Sequence, residues 1–282
     1  MKRSAALLAL LAVVAAGCGA ATTDPIALDP VAQAASRTAA AGSSRVEFEM
    51  NMRVAGQSLD AKGWGAFTYG DPRGFLTFEM RIPELGDVRM DLRLVGLKLY
   101  LRLPAEVRGE ALPRGKEWMG IDLAKSLEQA GLGSLDFTRQ QDPVQMLRYL
   151  QAASSDVAEA GYDEIRGVPT TKYVGHLDVR KALDAGLDQL GVSEAEREQA
   201  RAGMKAMLDQ LGSASVPFEV FIDESGLLRR LTMTMSMTVE NESLEMSMQM
   251  DYFDFGVAVE VEPPPAAAVY DVTDLATLPT QP

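Results

Sequence analysis

From Val46 to Leu103 the chain repeatedly alternates apolar with polar residues, and a two-residue period dictates strands rather than helices. Val46, Phe48, Met50, Met52 and Val54 share one face of a first strand, and Glu47, Glu49, Asn51 and Arg53 share the other. Ala55-Gly56 turns the chain into a second strand over about Ser58–Tyr69, and Gly70-Asp71-Pro72 turns it again. Leu76, Phe78, Met80 and Ile82 carry the apolar face onward, followed after the Pro83–Gly86 turn by Val88, Met90, Leu92 and Leu94. Leu97, Leu99, Leu101 and Leu103 then alternate with Lys98, Tyr100 and Arg102. Strands of this kind joined by short turns make an antiparallel meander with one apolar and one wet face.

Helical segments interrupt and flank this pattern. Asp29-Pro30 begins a helix to about Ala41, with Asp as N-cap and Pro at the first helical position. Shorter helices are expected over Asp122–Ala130 and after the Asp142-Pro143 cap, where Val144, Leu147 and Leu150 share a face. Strands follow at about Asp156–Tyr162 and Val168–Asp178. A second helical stretch covers Val179–Leu190 and, behind the Ser193-x-x-Glu196 capping box, Glu194–Leu211. Strands return at Val216–Ile222, Leu227–Val239, Ser243–Phe253 and a short Val257–Val261.

A turn at Asn241-Glu242, with Glu240 opposite Ser243, predicts a hairpin in which Met237 faces Met246, Met235 faces Met248 and Met233 faces Met250. Its end is flanked by the pair Val239–Leu244. Six methionines then line one face, joined by Met50, Met52, Met80 and Met90.

The N-terminus sets the compartment. Lys2 and Arg3 precede an apolar run from Ala5 to Ala16, twelve residues long, that ends in Ala15-Ala16-Gly17-Cys18. The run is short of the roughly 20 residues a spanning helix needs, and it has the form of a lipoprotein signal. Cleavage before Cys18, the single cysteine, leaves it N-terminal for acyl (palmitate) attachment. Position −3 holds Ala15 rather than the commoner Leu, so an ordinary secretory cut with Cys18 incidental is the competing reading. The expected organisation is a signal peptide over 1–17, a tether over 18–28, one domain over 29–262 and a Pro/Ala-rich tail over 263–282. The expected location is the extracytoplasmic face of the cell membrane, anchored through Cys18.

Charge and composition exclude several functions. The chain carries 40 acidic residues against 27 basic ones, two of which lie in the signal. Nucleic-acid binding needs clustered Lys and Arg to neutralise phosphates, and that pattern is missing. His176 is the single histidine and falls within a strand, and no Gly-x-Ser-x-Gly elbow occurs. One histidine and outward-alternating acids do not make a metal site, and no phosphate-cradling or dinucleotide motif is present. The expectation is therefore no enzyme, no metal and no cofactor. Asp223-x-Ser225-Gly226 is a hairpin loop before it is a calcium fragment, and Asn241-Glu242-Ser243 a turn before it is a glycosylation acceptor.

Four segments recur in a recognisable order: Lys98–Pro104 (KLYLRLP), Trp118-x-x-Ile121-Asp122, Asp142-Pro143 before a short helix, and Gly167-Val168-Pro169-Thr170-Thr171-Lys172-Tyr173 before Asp178. Behind a lipobox, this combination resembles the actinobacterial LppX/LprA/LprF/LprG lipoproteins and their LolA-like relatives, over about Asp29–Val261. The resemblance implies an α+β fold, a strongly curved antiparallel β half-barrel of about 10–11 strands with helices covering its concave face. It also implies a cavity there for acyl chains of lipids or glycolipids. The long acidic insertion Ala182–Leu211 departs from the better-known members.

On that basis the lead reading is an envelope lipoprotein that binds, carries or chaperones lipid, with a transport partner unidentified. The candidate cavity lining is Met50, Met52, Phe78, Met80, Met90, Leu92, Leu99, Met233, Met235, Met237, Met246, Met248 and Met250. The rival is a surface interaction or sensor module with a filled core, because periodicity alone does not separate a pocket lining from packing. Gly63 and Gly65 mark either a bend or a weak strand. Trp118 is read as a buried structural residue rather than a cover for a cavity mouth, and Tyr100 and Tyr173 as half-buried.

Overall fold

Alternation becomes a ladder: β1 (Ser43–Val54), β2 (Gln57–Thr68), β3 (Arg73–Ile82), β4 (Gly86–Val95) and β5 (Lys98–Arg102) pair in sequence as an antiparallel meander. The computed structural model describes residues 30–54, 57–70, 72–82, 86–127, 154–178, 215–239 and 242–273, with scattered positions between 180 and 202. Cys18 and the expected segments 1–29, 142–150 and most of 179–211 lie outside the described residues.

Beyond the meander come β6 (Trp118–Asp122), β7 (Ser154–Ile165), β8 (Val168–Asp178), β9 (Ser215–Asp223), β10 (Leu228–Val239), β11 (Glu242–Phe253) and β12 (Val269–Asp271). Together they form one large, curved, unclosed sheet in the order β12-β6-β5-β4-β3-β2-β1-β11-β10-β9-β8-β7. Every pairing is antiparallel except the short parallel contact of β12 with β6. Near the centre of the sheet, β1 pairs with β11 and joins the N-terminal meander to the C-terminal strands.

Gly63 and Gly65 on β2 mark a close approach of neighbouring groups. A Cβ at Gly65 overlaps the Phe75 carbonyl across the ladder, and one at Gly63 overlaps the Phe48 ring and the Thr77 carbonyl. Neighbouring groups come too close there for any side chain, which is the close-approach role of a strand glycine.

The apolar face holds two packed clusters. One gathers Val46, Phe48, Leu76 and Leu92, with Leu99 and Met250 against them. The other gathers Phe218, Val220 and Ile222 beneath α1 (Pro30–Ala40), which buries Ala32, Ala34, Thr38 and Ala39. Helix α1 is the expected one, and its Thr38 hydroxyl also accepts the Leu228 N–H at 2.9 Å. Two further helices, α2 (Ala105–Ala111) and α3 (Leu123–Leu127), follow β5 and β6.

The chain past β11 does not trail away. Gly256 N–H donates to the Ser43 carbonyl at 2.9 Å, the Arg93 guanidinium donates to the Glu262 carbonyl at 3.0 Å, and Glu117 N–H donates to the Ala268 carbonyl at 2.9 Å. This strap crosses from the middle of the sheet to its far edge, where Val269–Asp271 pairs with Trp118–Gly120. There the Thr273 hydroxyl, 1% exposed, accepts the Asp122 N–H at 2.9 Å.

Three expectations need correction. The β10–β11 hairpin pairs Val239 with Glu242, Met235 with Met246 and Met233 with Met248, two residues off the expected register. A two-residue slip preserves alternation, so the same residues keep the same face and only their partners change. Val257–Val261 is no strand, because it crosses the sheet inside the strap instead of lying along an edge. Trp118–Asp122 and Val269–Asp271, to which the alternation assigned no strand, are both strands, and the helix expected from Asp122 follows the first of them at Leu123.

Candidate functional site

The ladder assembles methionines into rows. One row crosses six strands: Phe218 on β9, Met233, Met248, Met50, Ala61 and Met80 on β3. The next runs Met235, Met246, Met52 and Leu59. On the other side lies Val220, Leu231, Met250, Phe48, Gly63, Phe78 and Met90. No ionisable side chain stands in any of these rows, since each charged residue falls on the alternate position and so on the opposite face.

Burial grades along the strands. Val46 and Leu76 are each 2% exposed, and Leu92 is buried beside them. Towards the β10–β11 turn, Met50, Met52, Met80, Met90, Met233, Met235, Met246, Met248 and Met250 are only half-buried, as are Phe78 and Leu99. On this face the buried side chains are branched, aromatic or alanine, Val88, Ala61 and Phe218 included, whereas these nine methionines are half-buried, with Met50, Met233 and Met250 resting against the buried clusters. Phe48 and Phe78 meet edge to face across Gly63, ring centroids 5.1 Å apart at 69°. Gly63 is what lets them meet, since a Cβ there would occupy the space of the Phe48 ring.

The structure brings the expected lining residues other than Met237 onto one face of β1, β3–β5, β10 and β11. Leu92 is part of a buried cluster, and Leu99, Met50, Phe78 and Met250 are half-buried against it. For Met237 only its backbone pairing with Leu244 is described. The second cluster, Phe218, Val220 and Leu231 with Val31 and Ala34 of α1, was not singled out from sequence. Its signal was present in the alternation of Val216, Phe218, Val220 and Ile222.

Charges gather on the opposite face in cross-strand pairs: Arg53–Glu245 at 3.1 Å, Lys62–Glu79 at 3.4 Å, Arg81–Asp87 at 2.7 Å and Arg230–Asp251 at 2.6 Å. The Arg81 hydrogen bond, then its charge, holds the Asp87 carboxyl below its ordinary value. The Asp251 hydrogen bond raises the Arg230 guanidinium. Trp118, 6% exposed, lies on this face beneath Arg93 at 4.7 Å and Arg102 at 5.9 Å, a structural position far from the methionine rows.

The polar face also carries a half-open depression of about 330 Å³ between Val174, His176, Pro217, Glu219, Thr232 and Thr234. His176 is exposed at its rim, opposite Pro217, while Glu219 pairs with Lys172 at 2.7 Å. Asp223 closes the β9–β10 loop by accepting from Leu227 N–H at 2.9 Å and Arg229 Nε at 2.6 Å, so its carboxylate serves the turn. Among the described residues no cluster of three or more His, Cys, Asp or Glu is placed to hold a metal ion.

Against known proteins, no family model matches the chain. An uncharacterized 31.2 kDa protein in the rplA-rplJ intergenic region of Streptomyces griseus is 28% identical over 214 residues, 71% of this chain. The match spans 65% of that relative's own length. Among solved structures, the lipoprotein LppX of Mycobacterium tuberculosis is similar with a TM-score of 0.39 and 14% identity, over 83% of this chain and 96% of that one. LprF of Mycobacterium bovis is similar with a TM-score of 0.39 and 15% identity, over 84% and 98% of the two chains.

Proposed function

We propose that this protein is an extracytoplasmic, membrane-anchored lipoprotein that takes acyl chains of lipid or glycolipid against its apolar face and carries or chaperones them in the envelope. The observation that supports this is the uncharged, half-buried methionine field across β10, β11, β1 and β3. A core that specifies one packing favours branched and aromatic side chains, whereas unbranched methionine adapts to variable apolar shapes. Each buried CH₂ contributes about 0.8 kcal/mol, so an acyl chain needs no polar contact to bind. No cofactor enters the mechanism. Binding is shape and hydrophobic burial, and Cys18 supplies the tether.

The test is to purify the soluble form, beginning after Cys18, from a lipid-containing host, extract it with organic solvent and analyse the extract by mass spectrometry. Stoichiometric lipid is the expected result. A stable protein free of lipid sinks the reading and favours a partner-binding module, for which the depression around His176 on the polar face is the supporting feature.

A further inference from the structure

The chain has 15 methionines, and nine of them stand half-buried on this one face. Six are contiguous: Met233, Met248 and Met50 in one row, and Met235, Met246 and Met52 in the next, across three adjacent strands. Directly opposed positions on neighbouring strands bring side chains within contact distance, so the thioethers form a patch rather than isolated sites. Half-burial leaves such side chains within reach of small oxidants.

We infer that these six methionines form an oxidation-sensitive switch on the binding of an apolar ligand, an inference that rests on the proposed lipid-binding role. In the chemical step, the methionine sulfur attacks one peroxide oxygen of hydrogen peroxide. An S–O bond forms, the O–O bond breaks, and water leaves. The sulfur is oxidised by two electrons and the peroxide is reduced by two. The resulting sulfoxide is a strong hydrogen-bond acceptor on a formerly apolar side chain. The row neighbours of these positions are Phe218, Ala61 and Leu59, none of which has a side-chain donor to offer it. A sulfoxide there either stays hydrated, which keeps an alkyl chain off the face, or is buried unpaired at a cost. Methionine sulfoxide reductases reverse the same chemistry and restore the thioether.

The experiment treats the soluble protein with graded hydrogen peroxide, maps sulfoxide by peptide mass spectrometry and measures binding of a dansyl-labelled fatty acid. Met119 on β6, also half-buried but outside the six and five strands from β1 in the sheet order, is the internal reference. Oxidation of the six positions is expected to weaken probe binding by roughly tenfold or more, the effect of one unpaired polar group against an alkyl chain. A variant with all six changed to Leu is expected to hold whatever affinity it has unchanged across the peroxide series, whereas a further loss in peroxide would place the effect outside the six. If it fails to fold, the wild-type series decides: affinity must fall in step with sulfoxide at the six positions and not at Met119. Reduced protein that binds no probe overturns the lipid reading and the switch together. Probe binding that survives full oxidation of the six, or falls only with Met119, overturns the switch alone.

Discussion

Arg230 and Asp251 face each other across the β10–β11 ladder and lock in a two-pronged ion pair, Nε to Oδ1 at 2.6 Å and Nη2 to Oδ2 at 2.7 Å. The side chains are only 26% and 9% exposed, so solvent screens this pair less than Arg53–Glu245, Lys62–Glu79 or Arg81–Asp87. Replacing Asp251 by Asn leaves the guanidinium without its counter-charge in a partly desolvated place. Urea unfolding is expected to show a loss of about 2–3 kcal/mol, below the full cost of breaking a wholly buried pair because Arg230 keeps some water. An unchanged midpoint would place the pair among the weak surface contacts.

Glycine substitutions test the close approach at β2. Gly65→Ala puts a methyl group onto the Phe75 carbonyl, which is backbone and cannot swing aside, and is expected to cost roughly 1–3 kcal/mol. Gly109 lies in α2, and a Cβ there meets nothing within 4 Å. Gly109→Ala is expected to stabilise by about 0.5–1 kcal/mol through helix propensity. Thermal melts of the two variants should move in opposite directions.

The hairpin register is open to direct chemical proof. In protein beginning after Cys18, the pair Met235→Cys with Met246→Cys is expected to form a disulfide under mild oxidation, since the two positions lie opposite. Met235→Cys with Met248→Cys places the thiols on a diagonal, too far apart to bridge without moving backbone. Cross-linking of the second pair in preference to the first would mean that the strands slide.

Bulk at the centre of the methionine field separates a binding face from a filled core. Met235→Trp is expected to block uptake of an acyl probe while leaving the melting temperature nearly unchanged. In a packed core the same insertion costs roughly 1–3 kcal/mol, and a melt would register it.

Asp87 gives a pH-dependent signal. Its carboxyl titrates below its ordinary value because Arg81 donates to it and places a positive charge beside it. A depressed folded-state pKa means that the pair's contribution is present above the ordinary carboxylate range and is lost as pH falls through the lowered value. Both groups are exposed, so the effect is better read by carbon NMR titration of Asp87 than by unfolding. The midpoint is expected to rise in Arg81→Ala and with added salt, and a midpoint indifferent to both would show that the pair is not formed in solution.

Alternation made most of this sheet legible, since β1–β5 and β8–β11 each carry enough period-two residues to declare a strand and its buried face. The pairing partners were less legible. The polar run Glu240-Asn241-Glu242-Ser243 contains no Gly or Pro to pin the turn, and a register two residues off satisfies the same pattern. β6 escaped because five residues containing Gly120 give no period, and β12 because three residues cannot. Val257, Val259 and Val261 misled for the opposite reason: they alternate in burial because one side rests on the sheet, yet they join no ladder. The candidate face was legible as a set of side chains, whereas its grading from packed leucine and phenylalanine to half-open methionine depends on where the strands end.

The pairing of Arg45 with Phe253 has a kinetic meaning. For a chain made N-terminus first, β1 is among the first strands to appear and its partner β11 nearly the last. The early meander therefore exists for a time with one long edge of β1 unsatisfied, and such an edge is a template for wrong pairing. Closing a loop of that length makes the central seam the slow step of assembly. The strap then follows directly behind β11, so the same late stretch of chain that completes the middle of the sheet also caps its far edge at β6.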